Sequence, residues 1–251
     1  IRKITRTMEL IATAKFKRAM DRAAAATAYT RRVTRLVGNL AQAGLKVSHP
    51  LLEQRDEVKR ATLLVIAANR GLCGGYNSNV LRLAQSRWTE LRQTVPHHRL
   101  EVAGKRGITY CNFRQIEPDA KYLHFEDRPA FDEVDVLATR FLEEFAAGKL
   151  DRLDVAYTQF HSVSNQTATV ETLLPLGSLA ADDDAHAADA GSSQYEFLPS
   201  AESILEEIVP MSFRIKLFKC FLDAAVSEQV SRMVAMKGAT ENADNLIKSL
   251  T

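Results

Sequence analysis

Val226-Ser-Glu-Gln-Val230-Ser-Arg-Met233-Val-Ala-Met236-Lys-Gly-Ala239-Thr-Glu-Asn-Ala243-Asp-Asn-Leu246-Ile-Lys-Ser-Leu250 carries an apolar or small residue at almost every third or fourth position. That spacing makes a stripe along a helix, with polar residues on its flanks. A helix is predicted from about Ser212 to Thr251. At the other end of the chain, Ile1 to about Ala43 contains no proline and a single glycine, and reads as one long helix. Its residues Ile1, Ile4, Met8 and Ile11, and later Val33, Leu36 and Leu40, repeat the same spacing. Between them Ala19 and Ala23 to Ala26 would let a partner helix come close. Two matching stripes at opposite ends of one chain predict an antiparallel two-helix coiled coil. Some 40 residues at 1.5 Å rise give a rod of roughly 60 Å, longer than a compact domain requires. Leu246→Asp is expected to put a carboxylate in the seam and fray the rod.

The pattern changes between the helices. Ala61-Thr-Leu-Leu-Val-Ile-Ala67 is short, branched and apolar, as a strand buried on both faces must be. A helix is predicted at about Gly75–Thr94, a strand at Arg99–Gly104, a helix near Phe131–Ala147, and strands at Asp154–His161 and Thr167–Leu176. This alternation predicts a central Rossmann-like α/β sheet domain. The expected division is 1–45, N-terminal coiled-coil helix; 58–178, α/β domain; 179–200, acidic flexible insert; and 201–251, C-terminal coiled-coil helix. Within the insert, Ala180–Ser193 holds four aspartates among Ala, Gly and Ser and reads as a solvated loop.

A net charge of +2 over 251 residues excludes the strongly basic class, but the charge is unevenly spread. Residues 1–35 hold ten bases and two acids, a local +8. Three cysteines without a CxxC pair are expected as free thiols of a reducing compartment. No segment approaches the roughly 20 apolar residues of a membrane-spanning helix.

Asn69-Arg-Gly71-Leu-Cys73-Gly74-Gly75-Tyr76-Asn77 is a glycine-rich turn between a predicted strand and helix, the setting in which backbone amides cradle phosphate. It matches neither GxGxxG nor GxxxxGK[ST]. Gly71, Gly74 and Gly75 therefore read as a structural turn, and no cofactor is expected. Cys73 has no base assignable beside it, the six histidines lack metal spacing, and the acidic run lacks the pattern of a calcium loop. No catalytic or metal-binding residue is proposed. Lys15, Lys17, Arg18 and Arg22 could meet nucleic-acid phosphate, an acidic protein surface or solvent. No interleaved aromatics support base stacking.

Three segments, in order, resemble the gamma subunit of F-type ATP synthases. Ile4-Thr-Arg-Thr-Met8 with Lys15-Phe-Lys-Arg-Ala19 is similar to the family's amino-terminal helix. Arg70-Gly-Leu-Cys-Gly-Gly-Tyr-Asn77 resembles its R-G-L-C-G-G-x-N segment, with Ala68-Asn69 in place of the usual Ser-Asp. Glu228 to Ala243 resembles E-x-x-x-R-M-x-A-M-x-x-A-T-x-N-A. The resemblance implies a non-catalytic shaft inside the ring of alpha and beta subunits, joined by an epsilon (delta-type) subunit and seated on the membrane c-ring. It implies Met8, Lys15, Arg18, Arg232 and Met236 as shaft residues facing other subunits, with Arg232 forming a polar catch with beta. It further implies a peripheral location on the cytoplasmic face of a bacterial inner membrane, or on an organellar membrane. Relative to the family, further helix is expected on both sides, and the acidic insert lacks the cysteine pair of the redox-regulated form. The residues themselves leave open a basic coiled-coil nucleic-acid-binding protein and a nucleotide-binding α/β enzyme.

Overall fold

The computed structural model describes residues 1–42, 49–53, 55, 57–125, 128–176 and 201–250, and their side chains except at 25, 28–42 and 201–205. The acidic insert, and the side chains of Val33, Leu36 and Leu40, lie outside the described set. In chain order the elements are α1 (Arg2–Gln42), β1 (Arg60–Ile66), α2 (Tyr76–Thr94), β2 (His97–Ala103), α3 (Lys105–Phe113), β3 (Ala120–Tyr122), α4 (Phe131–Ala146), β4 (Arg152–Ser162), β5 (Asn165–Leu174) and α5 (Ala201–Leu250).

The strands form one sheet in the order β3-β2-β1-β4-β5. The first four are parallel, and β5 returns antiparallel from β4 as a hairpin. Alternate residues of β1 explain its uninterrupted apolar run. Leu64 and Ile66 enter a core under α4 and α5, while Ala61, Leu63 and Val65 enter a second core under α2. On α2 the buried Val80, Leu81, Ala84, Trp88 and Leu91 recur at helical spacing and supply that second core.

Helices α1 and α5 pack antiparallel. Arg2 pairs with Asp244 at 2.6 Å, Thr5 Oγ1 accepts from Thr240 Oγ1 at 2.8 Å, and Ala19 and Ala23 pack on Leu222, Val226 and Val230. Positions fall along one helix as they rise along the other. Both faces of α5 are engaged: Phe213, Leu217, Phe221 and Ala224 serve the sheet core, and Leu222, Val226 and Val230 face α1. All ten residues from 221 to 230 are buried. A helix covered on every side must be apolar there or satisfy its polar groups internally, and Asp223, Ser227 and Glu228 do so with Lys219, the Thr158 carbonyl and Arg232.

Several expectations change. The C-terminal helix begins at Ala201, not near Ser212, and runs through Pro210. A helix, α3, and a three-residue strand, β3, stand where neither was expected. On α1 the face turned to α5 is Thr5, Ala12, Ala19 and Ala23, while Ile1, Ile4 and Ile11 are exposed. Successive residues lie about 100° apart around a helix, so Ile11 is a quarter turn away from its neighbour Ala12. Spacing identified a stripe, but two stripes share this helix, and α5 packs on the small one. Leu246 is 63% exposed and Leu250 87%, past the Arg2–Asp244 pair. Val226→Asp, at a fully buried position, should cost at least about 3 kcal/mol. Thermal melts of this variant check the seam, and an unshifted melt would refute it.

Candidate functional site at the junction of the sheet and the long helices

The glycine turn leaves the C-terminal end of β1 and enters α2. Leu72 and Gly74 adopt φ of 61° and 54°, the left-handed region that glycine tolerates best. Side-chain amides tie the turn together. Asn77 Oδ1 accepts from the Ala68 N–H at 3.0 Å, and its Nδ2 donates to Cys73 Sγ at 3.1 Å. Asn69 donates to the Phe125 carbonyl at 2.7 Å and accepts from the Lys105 N–H at 2.9 Å, joining the turn to the start of α3.

Helix α5 closes over this turn. The Arg232 guanidinium, 8% exposed as a residue, donates to Glu228 Oε1 at 2.5 Å and reaches the Gly71 carbonyl at 3.4 Å. A side chain built at Gly74 would touch Ala235. Tyr76 is buried beside Glu228, and burial, with that carboxylate nearby, holds its phenol well above its ordinary pKa. Burial likewise raises the Cys73 thiol, with Glu228 adding to the effect, so Cys73 is a packing residue and not a ready nucleophile.

In doubly wound sheets, nucleotides bind in the crevice outside the carboxyl ends of the strands. Here that crevice is lined by Tyr76, Phe125, Phe221, Ala224 and Glu228, and about 30 Å3 remains. That is room for a water molecule, against the hundreds of Å3 a ligand pocket needs. Helix α5 occupies the crevice beside the turn.

The structure unites Gly71, Gly74 and Arg232 in this junction. Gly75 stands one step on, before Tyr76 opens α2. Arg232, expected on an outward shaft surface, is turned inward because Glu228, one helical turn earlier, and the Gly71 carbonyl hold its charge. Met236 is also buried, while Met8 and Lys15 are half-buried and Arg18 is exposed on α1. Glu228, Asn69, Asn77 and Tyr76 complete the junction and were not singled out as site residues. The opposite charges of Glu228 and Arg232 at i, i+4 were the one available signal.

A family model described as ATP synthase matches residues 1–251. The ATP synthase gamma chain of Rhodopirellula baltica is 59% identical over 253 residues, covering 100% of this chain and 86% of the relative. The chain belongs to the ATP synthase gamma-chain family. The gamma chain of Leptospira biflexa is 36% identical and likewise covers all of this chain and 85% of its own length. Among solved structures, a chain of the central stalk and c-ring assembly of Tetrahymena thermophila mitochondrial ATP synthase superposes with a TM-score of 0.63. At 18% identity, over 94% of this chain and 99% of that one, this is a likeness of fold. In this gamma chain the junction ties α5 to the glycine turn at the end of β1. None of the described helices is long and apolar enough to cross a membrane.

Proposed function

We propose that this gamma chain is the central rotor shaft of an F-type ATP synthase, turned by proton flow through the c-ring and driving the catalytic sites of the alpha and beta subunits. The carrying observation is mechanical. A 50-residue helix, about 75 Å at 1.5 Å per residue, is gripped by the sheet along one stretch, paired with α1, and projects beyond the sheet. A rod held this way passes a torque applied to the sheet domain along its length. The chain contributes no chemistry of its own, and hydrolysis and synthesis stay with the beta subunits.

Helices α1 and α5 form an antiparallel coiled coil in this reading, with 1–45 and 201–251 as shaft, 58–178 as foot and 179–200 as an insert. Exposed Ile4 and Ile11 give α1 an apolar surface suited to a subunit bearing. Arg18 and the other bases of α1 face acidic beta loops, and Met8 and Lys15 lie at the rim of that contact. Met236 supports the contact from behind, and Arg232 reaches a partner only by leaving Glu228 and the Gly71 carbonyl. Alpha, beta, epsilon and c-ring are the expected partners, and the location is peripheral, on the cytoplasmic face of a bacterial inner membrane.

Met8→Lys adds a charge at the bearing and is expected to lower proton pumping per ATP hydrolysed severalfold while hydrolysis continues. Inverted membrane vesicles assembled with the variant measure both quantities. Unchanged pumping per ATP would remove Met8 from the bearing. Failure of the tagged chain to copurify with alpha and beta subunits would overturn the shaft itself.

A further inference from the structure

A groove of about 390 Å3 lies at the opposite end of the sheet from the glycine turn, where β1 and β2 begin. Its walls include Arg60, His97, His98, Arg99 and Lys149 over a floor containing Thr62, and no aspartate or glutamate lines it. The glycine-turn crevice was closed by α5, whereas this groove is open and falls in the size range of small-ligand sites.

Several of its donors are held in place. Arg60 donates Nη1 to the Gly148 carbonyl at 3.0 Å, which anchors its guanidinium and leaves further N–H groups on the same plane. His98 Nδ1 lies 3.0 Å from the Val95 carbonyl and its ring stands edge-on to Trp88 at 5.2 Å. As donor to that carbonyl through Nδ1, the neutral ring presents an acceptor at Nε2, so His98 shapes the groove wall and is not one of its anion donors. Arg99 bonds Thr62 Oγ1 at 3.3 Å and pairs with Glu144, so its charge is largely spent there. Lys149 is exposed on the rim.

Acids near the groove are engaged elsewhere. Glu144 binds Arg99 and also Arg140 at 3.0 Å, and the buried Asp151 accepts the backbone N–H groups of Lys59 and Arg60 at 3.0 and 2.8 Å. Glu57 pairs with Lys59 at 3.0 Å. Arg60 and Lys149 supply the groove's positive charge, partly offset by the buried Asp151 carboxylate, whose lone pairs are turned to the backbone of Lys59 and Arg60.

We infer that this groove binds a phosphate-bearing anion through Arg60 and Lys149. Two sources carry that chemistry: a free phosphate compound and the headgroup of an anionic lipid. Helix α4 runs antiparallel to α5, with Asp135 against Arg214 and Phe131 against Phe218, so its end near Lys149 lies toward the start of α5. On the rotor reading this end faces the membrane. The binding site does not depend on that reading, which bears only on the source.

The test uses the full chain, with inorganic phosphate and pyrophosphate in equilibrium dialysis, and flotation on vesicles of neutral phosphatidylcholine with or without phosphatidylglycerol. Saturable binding of the free anions assigns a free phosphate compound. Flotation only with the anionic vesicles assigns the lipid. In either arm, Lys149→Gln alone should weaken binding roughly tenfold, the loss of one charge-assisted contact. Arg60→Gln with Lys149→Gln should abolish it. Lys17→Gln with Arg18→Gln, on the basic face of α1, should leave it unchanged. Circular dichroism confirms that each variant is folded, and Lys149→Gln, which removes an exposed side chain, keeps the test valid should Arg60→Gln not fold. The proposal is overturned by absence of saturable binding in both arms, by undiminished binding in Lys149→Gln, or by loss confined to the α1 variant.

Discussion

Gly104→Ala is expected to cost about 4 kcal/mol or more of folding free energy, enough to leave much of the chain unfolded at physiological temperature. Gly104 joins β2 to α3 with φ of 101°, and a Cβ there would sit 2.0 Å from the Ala67 carbonyl oxygen and 2.6 Å from its carbon. Two penalties coincide. A positive φ strains any residue with a Cβ by about 1–2 kcal/mol. The clash is with backbone, which no rotamer change can relieve, and with the carbonyl of the residue whose own N–H bonds to Ala103 O at 2.9 Å. Moving it would disturb the β1–β2 ladder and the glycine turn together. Gly148→Ala serves as the control, since Gly148 also has a positive φ, 67°, but nothing within 4 Å of its built Cβ. It should lose only about 1 kcal/mol. Guanidinium unfolding of both variants makes the comparison, and equal, small losses would show that the approach of Gly104 to Ala67 is not a constraint on the fold.

Glu228→Leu should destabilise the chain by about 3 kcal/mol, because it leaves the guanidinium of Arg232 buried with only long contacts to the Gly71 carbonyl. The pair is 6% and 8% exposed, so water cannot readily take over. Adding Arg232→Met to Glu228→Leu should recover more than half of the loss, since the double variant buries no charge. Chemical denaturation of the single and double variants closes the cycle. A single-variant loss below about 1 kcal/mol would mean that the pair does not fasten α5 to the turn, and the junction would then rest on Tyr76, Phe221 and their apolar neighbours.

Much of the architecture was legible because local patterns and tertiary environment agreed. The short, branched, apolar run Ala61–Ala67 suited a strand covered on both faces, and β1 spans Arg60–Ile66. The absence of helix breakers through Ala43 marked α1 almost to its observed end. Where local signal was weak, tertiary contacts decided. Lys105–Phe113 has no cap and follows directly on β2, so α3 is recognisable only by the way Gly104 lets the chain turn beside Ala67. The three residues of β3 acquire strand geometry from pairing with Glu101, Val102 and Ala103.

At the junction, the glycine spacing by itself argued against phosphate and for a tight connection. It could not name what fills the crevice, because Glu228 and Arg232 lie some 160 positions further along the chain.

The sequence by itself determined that two long terminal helices flank an alternating α/β segment, and that its motifs run in the order of the gamma-chain family. Helix breakers, apolar periodicity and glycine spacing are local properties, written into consecutive residues. Tertiary structure alone decided which face of α1 meets α5 and which way Arg232 points. A helix with two stripes of suitable spacing offers either to a partner. The choice falls to the closer fit of alanines against Leu222, Val226 and Val230, and to the buried charge at Arg232, whose partners only the folded chain brings within reach.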